Sequence, residues 1–85
     1  MKNEWLITFR SVTFAQRGQQ ALHRAHIECR LHRTPRSLSE RGCGYCLRLR
    51  GWDAPRAVDV LEQEQIPFGK LYAIMDDGTM QERVL

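Results

Sequence analysis

The chain has 85 residues, a net charge of +3, 42% hydrophobic and 27% charged residues. That length allows one domain with one modest core, not two, and the composition excludes a disordered or fibrous chain. No stretch reads as a signal peptide or a membrane span, because the apolar run Trp5-Leu6-Ile7 is broken at Thr8 and stops at Arg10.

Three cysteines, an odd number, fit the free thiols of the cytoplasm better than a disulfide framework. The net charge hides an asymmetry. Residues 1–50 carry ten Lys and Arg against three Asp and Glu, whereas residues 51–85 carry three against seven. The positive half favours an anionic ligand, a thiolate or an acidic partner.

Taken in order, Glu4 to Arg10 alternates as a strand, with Trp5, Ile7 and Phe9 on one face. Ser11 or Thr13 caps a helix running to about His26, with apolar positions at Val12, Ala15, Leu22 and Ala25; Gly18 weakens it. Ile27 to Arg33 alternates again, with Ile27, Cys29 and Leu31 on one face. A long irregular connection follows. From Tyr45 to Arg50 the chain reads as a third strand, with Tyr45, Leu47 and Leu49 inward and Cys46, Arg48 and Arg50 outward. Gly51-Trp52 is a turn. Asp53 caps a second helix with Pro55 in its first turn and a stripe of Ala54, Ala57, Val58 and Leu61. Lys70 to Met75 is a fourth strand, Asp76-Asp77-Gly78 a turn, and the remaining residues a loose tail.

The order β-α-β-β-α-β predicts an α+β fold: a ferredoxin-like sandwich with a four-stranded antiparallel sheet and two helices on one face. One domain over 1–76 precedes a tail over 77–85. The first and third strands lie centrally, and the outer strands leave sheet edges where a homodimer has room to form.

Chemistry concentrates in the long connection, residues 34–46. It holds Cys43 between Gly42 and Gly44, with Arg36, Arg41 and Arg48 close in sequence. Glycine flanks let backbone N–H groups and a partner's reactive atom approach the sulfur. Cationic neighbours lower a thiol's pKa and make it a better nucleophile. Against this stands the plain reading of a loop thiol among solvated arginines. Cys43-Gly44-Tyr45-Cys46 has the spacing of a redox motif, but such motifs open a helix and this one opens a strand. Cys46 is then a resolving thiol or a partly exposed strand thiol. The pattern Cys29-x-x-His32…Cys43-x-x-Cys46 tempts a zinc reading. Strand alternation opposes it by sending Cys29 and His32 to opposite faces, so no metal site is assigned. The join Arg10-Ser11 at a helix N-terminus is a natural anion site, though capping by Ser11 explains it as well. An arginine-rich sheet face suggests RNA, but the aromatic rings that would stack on bases point inward, so nucleic acid is set aside.

From Trp5 to about Tyr72 the chain resembles the selenium/sulfur (Se/S) carrier protein-like family. The resemblance rests on Phe9-x-Ser11-Val12-x-x-Ala15, Ile27, Thr34-Pro35-Arg36-x-Leu38-Ser39, Cys43-Gly44 and Leu47-Arg48. It implies a cytoplasmic bacterial carrier, without a cofactor, that holds sulfur or selenium on Cys43 as a persulfide or selenopersulfide. Ser11, Arg36 and Arg48 match family positions that surround the cysteine. Two departures stand out. Glu40-Arg41-Gly42 replaces small Ser residues, and Cys46 replaces a small apolar residue. The first makes the site more charged, and the second adds a disulfide step with Cys43 that would release the cargo. The expected partners are a donor such as a cysteine desulfurase and an acceptor protein, with no membrane involved. Such a protein is a carrier rather than a stand-alone enzyme. The competing readings are a thiol–disulfide redox module using Cys43 and Cys46, and a non-enzymatic regulatory module binding a small anion at Ser11 and the arginine face.

Overall fold

A computed structural model of the chain describes residues 3–35 and 44–84. It is α+β, with two helices and a five-stranded antiparallel sheet. The strands are β1 (Glu4–Phe9), β2 (Cys29–Arg33), β3 (Tyr45–Arg50), β4 (Leu71–Ile74) and β5 (Met80–Arg83). The helices are α1 (Val12–Arg24) and α2 (Ala54–Gln63). In the sheet the order is β2-β3-β1-β4-β5, so β1 lies at the centre. None of the described helices is long and apolar enough to cross a membrane.

Strand alternation sorts the side chains as the sequence predicts. Ile7 pairs with Leu47 and Leu71, and Leu31 with Leu47, which puts all four on one face. Ile7, Phe9, Leu47, Leu49 and Leu71 join Ala15, Leu22, Ala57 and Leu61 in a single core, so α1 and α2 both pack against that face. Gly18, buried in α1, makes the approach close. A Cβ there would stand 3.0 Å from Phe9 Cζ and 3.2 Å from Leu61 Cδ2. The residue that weakens the helix locally is what lets it sit on β1 and α2.

Each helix ends in the same way. Ile27 N–H donates to Leu22 C=O at 2.8 Å, and His26 N–H to His23 C=O at 3.0 Å. At the end of α2 the matching bonds run from Ile66 to Leu61 at 2.9 Å and from Gln65 to Glu62 at 3.1 Å. These are Schellman ends, with the usual glycine replaced by His26 (φ 62) and Gln65 (φ 57). The isoleucine after each is buried, which anchors the exit.

Several expectations need correction. The sheet has five strands, not four. The expected tail is β5, whose Met80 pairs with Ile74. Asp76-Asp77-Gly78 closes that hairpin, as Met75 N–H donates to Thr79 C=O at 2.7 Å and Gly78 takes φ 88. With β5 in place β4 is no longer an edge, and β2 and β5 are. Helix α1 stops at Arg24 because His26 turns left-handed, and β2 begins only at Cys29. Gly51–Asp53 forms one turn of 3-10 helix, and the Asp53 side chain makes no capping hydrogen bond to α2.

Candidate functional site

The β2–β3 connection is clamped at its base. Thr34 N–H donates to Gly44 C=O at 3.1 Å, one step beyond the pair Arg33–Tyr45. A Cβ on Gly44 would lie 3.3 Å from Thr34 Oγ1 and 3.6 Å from the Phe9 carbonyl oxygen. Glycine therefore lets the chain close against the ends of both β1 and β2. Two residues past Phe9, Ser11 caps α1, accepting a hydrogen bond from Phe14 N–H at 3.2 Å. No acidic side chain stands in the first turn of α1. The base of the connection and the positive end of the helix dipole thus share one end of the sheet.

Of the predicted site residues, Ser11, Gly44, Cys46 and Arg48 are placed by the structure. Cys43, Arg36, Arg41 and Gly42 lie outside the described residues.

Cys46 is on the sheet face opposite the helices, paired with Thr8 on one side and His32 on the other. Alternation alone makes it a partly exposed thiol. It is instead 1% exposed and lies outside the main core. Burial pushes the Cys46 thiol above its ordinary value, and the Arg48 guanidinium and the Thr34 hydroxyl offset this only in part. That hydroxyl is buried and makes no hydrogen bond of good geometry among the described residues, while the Cys46 thiol donates weakly to the Arg33 carbonyl at 3.9 Å. Such a thiol stays protonated near neutral pH and is a poor nucleophile.

Arg48 Nε stands 3.6 Å from Glu4 Oε1, an ion pair too long for a hydrogen bond. Cys29 faces the helices, and burial pushes its thiol up to about 11. Cys29 and Cys46 are thus on opposite faces of the sheet and cannot ligate one ion. Among the described residues no cluster of His, Cys, Asp or Glu has the geometry of a metal site.

Sequence reasoning missed two contributors, the Thr34 clamp and the Glu4 counter-charge on Arg48. The Thr34-Pro35 step marked a strand end, which hinted at the first. Only the β1–β3 register reveals the second, since Glu4 and Arg48 are two residue pairs apart on neighbouring strands.

A family model described as "Putative Se/S carrier protein-like" matches residues 4–73. The chain belongs to this family. The match to the Se/S carrier protein-like family runs from the first residue of β1 into β4 and spans Cys43 and its connection. It ends before β5, which is an addition to the matched segment. No curated protein and no solved structure matches the chain.

Proposed function

We propose that this protein carries sulfur or selenium on Cys43. The observation that carries the reading is the family match across the cysteine connection, and the clamped base beside the α1 N-terminus supports it. The Cys43 thiolate attacks the terminal sulfur of a donor persulfide, R–S–SH. The donor's S–S bond breaks, the donor leaves as R–S⁻, and Cys43 becomes Cys43–S–SH. Its terminal group ionises, and Arg36, Arg41 and Arg48 stabilise the anion. An acceptor thiolate then takes the terminal sulfur and returns Cys43 as a thiolate. A selenopersulfide donor passes selenium by the same exchange. No external oxidant or cofactor is required.

The donor we envisage is a cysteine-desulfurase-like persulfide protein in the cytoplasm. We read the first four strands and both helices as a ferredoxin-like unit with β5 appended. The disulfide reading, in which Cys46 resolves Cys43, draws no support from a Cys46 thiol that is buried and raised in pKa. Intact-mass measurement after exposure to a persulfide donor, in wild type, Cys43→Ser and Cys46→Ser, tests the assignment. Uptake of one sulfur in all but Cys43→Ser is expected. Uptake that survives Cys43→Ser refutes the site.

A further inference from the structure

The outer face of the β2–β3 pair gathers positive charge that the fold does not need. Arg30 and Arg48 stand directly opposite each other in the register. Like charges placed so weaken a sheet. Neither strand carries an Asp or Glu, and His32 and Arg50 share the same face. The nearby acids are already engaged on other arginines: Glu4 lies 3.6 Å from Arg48, and Glu28 lies 3.7 Å from Arg50. Arg30 is exposed and has no ion pair among the described residues. At the border of the patch Trp52 is 65% exposed, with the Arg50 guanidinium 5.5 Å from its ring centre. An exposed Trp beside Arg is the pairing that protein interfaces favour.

We propose that this face is a docking surface for an acidic segment of a partner protein. Its charge calls for carboxylates: Glu4 and Glu28 already answer Arg48 and Arg50, and Arg30 is the arginine of the face with none among the described residues. Nucleic acid suits the face less well. The central strands β1 and β3 present Glu4, Leu6, Thr8, Cys46, Arg48 and Arg50 outward without a ring; the rings of the face, His32, Trp52 and Tyr72, lie at its margins and not in a row along which successive bases could stack. The other strands of the face add Tyr72 and Glu82, on the far side of β1 from the β2–β3 patch. The same charges oppose pairing between the β2 edges of two copies, which would set arginine against arginine. The inference stands on register and charge and does not depend on what Cys43 carries.

A ten-residue peptide rich in Asp and Glu is the probe, titrated against the full chain while Trp fluorescence and backbone NMR shifts are followed. Shifts confined to β2, β3 and Trp52, and an affinity that falls as salt rises, are expected. Arg30→Glu should weaken binding by about tenfold or more. Arg17→Glu, the same charge change on the helix side, should leave it nearly unchanged. Arg30→Glu also relieves the Arg30–Arg48 repulsion, so its thermal midpoint should not fall and lost binding is not lost folding. Equal weakening by the two variants, or no peptide binding at low salt, overturns the proposal. So does tighter, Arg30-dependent binding of a thymine oligonucleotide of equal charge.

Discussion

Thr34 and Gly44 hold the two ends of the β2–β3 connection together by a 3.1 Å backbone hydrogen bond, with no room between them for a Cβ to enter freely. The residue that closes this clamp is the one that follows Cys43 in the chain. Cys43, the proposed carrier residue, is thus joined in the chain to a residue whose contact tolerates little growth. Gly44→Val should cost about 1–3 kcal/mol through overpacking against Thr34 and Phe9. It should also slow sulfur uptake by Cys43 by more than Thr34→Ala does. Urea unfolding and a uptake time course on the same samples check both statements. A Gly44→Val protein as stable as wild type would show that the clamp is loose.

Gly18 is a second close approach, and there two effects oppose each other. In an open helix Gly→Ala gains about 1 kcal/mol. Here the new methyl meets the Phe9 ring at 3.0 Å and Leu61 at 3.2 Å, inside a packed core. Overpacking of that kind costs about 1–3 kcal/mol, so the steric cost wins. Gly18→Ala should lower stability, and Gly18→Leu should lower it much further. Denaturant midpoints measure the difference.

The two left-handed helix ends give the opposite sign. His26 and Gln65 each hold a backbone angle that an L side chain adopts only at a cost of about 1–2 kcal/mol. Glycine relieves that cost but gives back about 0.5–1 kcal/mol of unfolded-chain entropy. His26→Gly and Gln65→Gly should each stabilise by about 0.5–1 kcal/mol. The positions lie at the ends of different helices, so the double variant should be close to additive. Thermal melts at matched concentration give the comparison.

Cys29 makes stability depend on alkaline pH. Its folded thiol titrates at about 11, above the range of an unfolded cysteine. The unfolded state therefore loses its proton first as pH rises. The Cys29 contribution is full below about pH 9 and is lost between there and about pH 11, by about 3 kcal/mol. Cys29→Ala should be less stable at pH 7 because it empties core volume, yet show a shallower decline from pH 8.5 to 10.5. Unfolding free energies across that range, compared between the two proteins, test the slope. Parallel declines would remove Cys29 as the cause.

The fold was legible where two-residue or helical periods had a core to serve. Trp5, Ile7 and Phe9 on β1 and Leu47 and Leu49 on β3 declared their faces, and Ser11 declared the start of α1. Strand β5 did not, because Met80-Gln81-Glu82-Arg83 lies at an edge where neither face is fully buried and no alternation is demanded. The Asp-Gly turn before it was the usable signal, since Asp-Gly between strand-like runs favours a hairpin. The left-handed ends were hidden because His26 and Gln65 stand where glycine would have announced them. At the site, alternation placed Cys46 and Arg48 on the correct face. The near-complete burial of Cys46 was invisible to it, since a period assigns a side and not the neighbours that cover it. The pairing of Arg48 with Glu4 likewise needed the register between strands far apart in sequence.

The central claim is that Cys43 takes up a transferable chalcogen atom while Cys46 stays a spectator. The most direct measurement is mass spectrometry under non-reducing conditions, intact and after digestion, following reaction with a persulfide donor and separately with a selenopersulfide donor. The account predicts a gain of one sulfur or one selenium on the peptide containing Cys43, lost in Cys43→Ser, retained in Cys46→Ser and released to an added thiol. A loss of two hydrogens with no gain, mapped to a Cys43–Cys46 bond, would contradict it.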